Sequence, residues 1–128
     1  MVKAEILYAN LDHPSVGSKL NKKMYEQIHL VQPRLLVMPI GYYRKHYNKL
    51  PLKEDINTNL PIMPQLEKLF HKYNADSNPY DYYNTPGQDA LKQIGVRHTS
   101  MSIGDIIKVG KNRYIVLSRG FGNVVLKW

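Results

Sequence analysis

A chain of 128 residues, 43% of them hydrophobic and 22% charged, is long enough to bury a core as one domain over residues 1–128. The absence of cysteine excludes disulfides, cysteine-ligated zinc, iron–sulfur clusters and thiol nucleophiles. No apolar run approaches the roughly 18 residues of a membrane span, so a cytoplasmic protein with no membrane contact is expected, and a net charge of +8 directs its field at polyanions.

Residues 2–8 alternate in part, with Val2, Ala4 and Ile6 against Lys3 and Glu5, and read as a first strand. Asn, Asp, Pro, Ser and Gly fill residues 10–17, which read as a loop. Its Asp12-His13 pair has no nucleophile beside it, and residues 15–19 lack the glycine spacing of a phosphate loop. Leu20, Met24, Ile28 and Val31 then recur at helical spacing behind a capping Ser18. Pro33 ends that helix, and residues 34–38 form an apolar strand whose closing Pro39 places it at a sheet edge or a strand end.

In residues 42–49, Tyr42, Tyr43 and Tyr47 interleave with Arg44, Lys45, His46 and Lys49. Flat rings stack on unpaired bases while cationic heads neutralise phosphates, so this composition suits single-stranded or looped nucleic acid. Tyrosines packed inward on a helical turn, with charges reaching outward, would produce the same pattern. Three prolines make residues 51–64 a long connection. Leu66, Leu69, Phe70 and Tyr73 form one helical stripe, with Pro64 in its first turn. Residues 76–87 hold Tyr80, Tyr82 and Tyr83 among two prolines and a glycine; the rings either clamp a partner or roof the core. Residues 90–94 add a short helix stopped by Gly95.

Three apolar runs close the chain, at residues 106–109, 114–117 and 124–128, separated by Gly110-Lys111-Asn112 and Ser118-Arg119-Gly120. They predict a three-stranded antiparallel meander with apolar residues on both faces, and Ile107 and Val116 as its centre. Six cations from residue 97 onward, Arg97, Lys108, Lys111, Arg113, Arg119 and Lys127, stand against Asp105 alone, giving +5 of the net +8. Lys108 and Arg113 flank the first hairpin and lie across from one another only if a polyanion or an acidic partner offsets their repulsion, or if the strand faces separate them.

The segment Ser100-Met-Ser-Ile-Gly-Asp-Ile-Ile, with Tyr114-Ile-Val and Gly120-Phe121 after it, resembles the C-terminal signature of the YodL-like family. Upstream, Leu66-Glu-Lys-Leu-Phe-His-Lys-Tyr-Asn is similar to the helix before that family's Ser-x-Ser-x-Gly-Asp box, and Asn78-Pro-Tyr-Asp-Tyr to the stretch between. The resemblance spans residues 62–122, and this chain adds residues 83–95 before the box. It implies a small accessory protein of phages or mobile elements, encoded near antirestriction genes; it implies no reaction.

The five histidines, at 13, 29, 46, 71 and 98, show no metal-ligand spacing, so neither metal nor cofactor is expected. Asp105 reads as turn chemistry, its carboxylate accepting nearby backbone N–H groups. The expectation is therefore an α+β domain: a small, mainly antiparallel sheet carrying the C-terminal meander, with two to three helices. Its function is expected to be non-enzymatic binding, with nucleic acid as first target through Tyr42, Tyr43, Arg44, Lys45, Tyr47, Lys49, Lys108, Lys111, Arg113 and Arg119. The alternative is a protein-binding inhibitor of a host defence or transcription enzyme, a basic domain plugging that enzyme's acidic DNA-binding cleft (an acidic host protein surface) through Tyr80, Tyr82, Tyr83, Phe121 and Trp128. A third reading is a small nuclease assembled from scattered residues such as His13, His98 and Asp105.

Overall fold

The computed structural model describes residues 1–10, 18–75, 77–81, 84–96 and 98–128. Six strands, β1 Val2–Ala9, β2 Leu35–Pro39, β3 Tyr47–Ile56, β4 Ile106–Val109, β5 Asn112–Val116 and β6 Phe121–Lys127, form one sheet in the order β2-β6-β5-β4-β1-β3. Every neighbouring pair is antiparallel except β2–β6. Strands β4, β5 and β6 are the expected meander, and β1 docks on its β4 edge. Among the described residues four α-helices pack on the sheet: α1 Lys19–Glu26, α2 Ile40–His46, α3 Ile62–Lys72 and α4 Thr85–Gln93. The chain is thus α+β, and among the described residues no helix is long and apolar enough to cross a membrane.

Strand alternation splits the core in two. Ala4, Ile6, Tyr8, Ile107, Val109 and Val116 point to one face, where Leu66, Leu69 and Tyr73 of the α3 region and Leu91 of α4 cover them. Leu7, Ala9, Ile106, Ile115, Val124 and Leu36 point to the other, beneath Met24, Ile28 and Tyr42. Apolar residues on both faces of the meander are explained by this double cover, which only a sheet between two helical layers requires.

Three sequence readings are corrected. Residues 51–64 are not one long connection: β3 continues to Ile56 and pairs with β1 on both sides of Pro51. Pro51 is accommodated because β3 is an edge strand and because the register breaks there, Leu7 facing Lys49 while Glu5 faces Lys53. In the first helix, Ser18 caps as expected, but Leu20 and Val31 are exposed and Asn21 is buried in their place. The helix widens into a π-helical turn over Gln27–Val31, so 3.6-residue spacing no longer places Val31 beside Ile28. Finally, α4 begins at Thr85, with Pro86 in its first turn and the Asn84 side chain accepting from the Gly87 N–H. Gly87 is there because a Cβ would stand 2.2 Å from the Pro79 carbonyl oxygen.

Candidate nucleic-acid interface

Lys3 and Glu5 belong to the same face of β1 as Leu7 and Ala9, because side chains two apart share a side. Register carries that face across the sheet: Glu5 opposes Lys53 on β3 and Lys108 on β4, Lys108 opposes Arg113 on β5, and Leu7 opposes Lys49. The α1–α2 layer covers the apolar end of this face and leaves the end of Lys3, Glu5, Lys49, Lys53, Asp55, Lys108 and Arg113 charged. Five cations therefore share it with two carboxylates.

Glu5 lies at the middle. Its Oε2 is 3.1 Å from Lys49 Nζ and its Oε1 3.7 Å from Lys108 Nζ. The Lys49 hydrogen bond holds the Glu5 carboxyl below its usual range, against the opposing effect of burial, and the charges of Lys49, Lys108 and Lys53 add to the lowering. The Lys108–Arg113 juxtaposition thus finds its acidic partner inside the chain. Lys3 pairs likewise with Asp55.

Arg113 is placed by an aromatic shelf. Its guanidinium lies 5.1 Å from the centre of the Tyr43 ring, which stacks in turn on Tyr47 at 5.5 Å. Arg113 Nε is buried and has no hydrogen-bond partner among the described residues. Nearby, the Arg44 guanidinium lies 5.1 Å over the Trp128 ring, and Trp128 is 88% exposed. A groove of about 490 Å³ adjoins Arg113, lined also by Lys111, Asn112 and the β6 residues Asn123 and Val124.

Of the residues singled out from sequence, Tyr43, Arg44, Lys49, Lys108 and Arg113 come together here, and Trp128 joins them rather than a separate partner surface. Lys45 is exposed on α2 and Lys111 on the β4–β5 turn, two residues from Arg113. Tyr42 and Tyr47 are core residues: Tyr42 packs on the His46 ring at 4.4 Å, and the Tyr47 hydroxyl donates to the Gly104 carbonyl at 2.6 Å. Neither offers a free ring face to a base. Arg119 sits on the β5–β6 turn, at the opposite end of β5 from Lys111. Tyr80 and, from β6, Phe121 are buried in the core that α3 and α4 cover, so of the alternatives given for the tyrosine segment, Tyr80 roofs the core; its hydroxyl accepts from the Leu52 N–H at 2.9 Å. Tyr82, Tyr83, Arg97 and His13 lie outside the described residues. Sequence reasoning missed Glu5 and Lys53. Strand parity in residues 2–8 could have found Glu5, whereas Lys53 was hidden by reading β3 as a connection.

A second cluster lies at the end of β1. Asp105 is 1% exposed; its Oδ1 accepts from the Ala9 N–H at 2.8 Å and its Oδ2 from the Ser102 N–H at 2.7 Å. His98 Nε2 stands 3.0 Å from Oδ2, and the imidazole stacks on Tyr8 at 4.6 Å. Burial pushes the Asp105 carboxyl up, while His98 and the two N–H groups oppose that rise. The Ser102 contact is the expected turn chemistry; the Ala9 contact ties the turn to β1 across 96 residues. A carboxylate-oriented imidazole is half of an acid–base device, and among the described residues no hydroxyl completes it by a hydrogen bond to His98. Nor does any group of three His, Cys, Asp or Glu residues among them stand ready to hold a metal.

No family model and no solved structure matches the chain. An uncharacterised protein of Acanthamoeba polyphaga mimivirus is 35% identical to it over 81 residues, which cover 62% of this chain and 70% of that protein.

Proposed function

The chain belongs to one family with this uncharacterised mimivirus protein, whose name assigns no activity, and from its surface chemistry we propose that it acts without catalysis by binding single-stranded nucleic acid. The observation that carries the reading is the pair of arginine–aromatic stacks, Arg44 on Trp128 and Arg113 on Tyr43, on one face with Lys49 and Lys108. A guanidinium held against a ring keeps its N–H donors for phosphate oxygens. The exposed indole adds a surface on which an unpaired base stacks, and a duplex offers no such base along its length. Tyr43 serves differently: its ring is engaged by Tyr47 and Arg113, so it positions the cation rather than the nucleic acid. The viral relative and the resemblance to YodL-like proteins support an accessory role in a virus or mobile element.

The test is competition between single strands and duplexes of equal length, followed by fluorescence anisotropy. The reading predicts clear preference for the single strand at low salt. Equal binding of both, or of neither, sinks it.

A second reading, a protein-binding inhibitor of a host defence or transcription enzyme, draws on the opposite face. There Leu35 and Val37 of β2 and Val125 of β6, about half exposed, form an apolar stripe beyond the cover of α3 and α4. Stable co-purification with one host protein, abolished by Val37→Asp and indifferent to nuclease, would support it over the first.

A further inference from the structure

The Glu5 carboxylate lies between two lysines, Lys49 and Lys108, and pairs with both. One oxygen faces each: Oε2 faces Lys49 and Oε1 faces Lys108. Two non-bridging phosphate oxygens are spaced much as the two oxygens of a carboxylate are, so the same pair of ammonium groups fits either. Glu5 is the deepest of the three, with 21% of its side chain exposed against 30% for Lys108 and 58% for Lys49. An incoming phosphate therefore meets the lysines from the solvent side. Lys53, opposite Glu5 in the register, reinforces the field at the same point.

We infer that Glu5 is a built-in competitor for the nucleic-acid backbone: it holds Lys49 and Lys108 as a preset pair and yields them to a phosphate on binding. This rests on the single-strand reading and deepens it, since it names where one phosphate sits and what limits its affinity. In water, exchanging a carboxylate for a phosphate between the same cations gains little. Lys49 and Lys108 thus contribute less to binding than free lysines do, and the protein releases its strand readily.

Removing the carboxylate tests the exchange. Glu5→Gln and a charge-matched control, Glu67→Gln on the exposed side of α3, each remove one negative charge, and oligo-dT binding is measured against salt for both. Glu5→Gln is expected to tighten binding about three- to tenfold and to steepen the log K against log salt slope by about 0.7, the share of one single-strand phosphate contact made without displacing a carboxylate. Glu67→Gln, acting through screened long-range charge alone, changes affinity less than about twofold. Lys49→Gln is expected to weaken binding several-fold in the Glu5→Gln background and only slightly in the wild type. Glu5→Gln indistinguishable from Glu67→Gln, or equal losses from Lys49→Gln in both backgrounds, overturns the inference while leaving the single-strand reading in place. A wild type that fails to bind oligo-dT at low salt overturns both.

Discussion

Replacing Asp105 tests whether a single buried carboxylate fastens the meander to the first strand. In Asp105→Ala, the Ala9 and Ser102 N–H groups lose their acceptors, and His98 loses its partner. Each unpaired N–H costs about 1–3 kcal/mol, and part is returned because a costly buried charge disappears, so a net loss of about 2–4 kcal/mol is expected. Asp105→Asn keeps the shape but turns an amide NH₂ toward one of the two N–H donors; it is expected to cost about 1–3 kcal/mol. Asparagine is otherwise a good turn residue, so a purely local turn role predicts almost no change for that variant. Urea unfolding separates the cases through the midpoint at constant slope. The pH dependence carries a sign as well. Burial raises the Asp105 carboxyl, so the folded chain keeps that proton to higher pH than the unfolded chain does. This group's contribution to stability therefore declines as pH rises from the ordinary carboxylate range through the raised value, a component that Asp105→Asn lacks. Midpoints within about 0.5 kcal/mol of wild type for both variants would refute the idea that this carboxylate holds the two segments together.

Ile107→Ala, at a residue with no exposed surface, is expected to cost about 2–4 kcal/mol in urea unfolding, and Val116→Ala somewhat less, through lost burial and a residual cavity. Gly87→Ala is expected to lower the unfolding temperature by several degrees, because its Cβ collides with the Pro79 carbonyl in the first turn of α4; an unchanged temperature would mean that α4 shifts freely. Glu5, held below the usual carboxylate range mainly by Lys49, contributes stability that is present above that range and lost as pH falls through its lowered value. The stability difference between wild type and Glu5→Gln should accordingly vanish in acid, and a constant difference from neutral pH to strong acid would contradict the ion pairs.

The meander was legible because β-branched and aromatic residues alternate between glycine turns, a local signal needing no knowledge of partners. Its double-sided apolar pattern also fits the cover that both faces receive in the structure. Strand β3 was hidden because prolines outweigh pattern in local reading, and only the pairing of β1 with an edge strand makes Pro51 tolerable. Tyr42 and Tyr47 were grouped with Tyr43 by composition. The four-residue spacing of Tyr42 and His46, both buried, shows that composition without helical phase cannot separate an inward ring from an outward one. The bridge from Asp105 to Ala9 and His98 joins residues with no common periodicity, so nothing in the linear chain announces it. Glu5 was readable as a face residue, but its meaning depends on the register of two other strands.

Trp128 is the single tryptophan of the chain, so its emission reports directly on the proposed surface. Titrating a single-stranded oligonucleotide into wild type, Arg44→Ala and Arg113→Ala, each at several salt concentrations, measures stacking and phosphate contacts together. The strand is expected to quench Trp128, and log K to fall with log salt with a slope of about −2 to −3 for the wild type. Each arginine variant should weaken binding and make that slope shallower by about 0.7, the share of one single-strand phosphate contact. Unquenched Trp128 emission, with binding that is absent at low salt or identical in all three proteins, would contradict the single-strand reading.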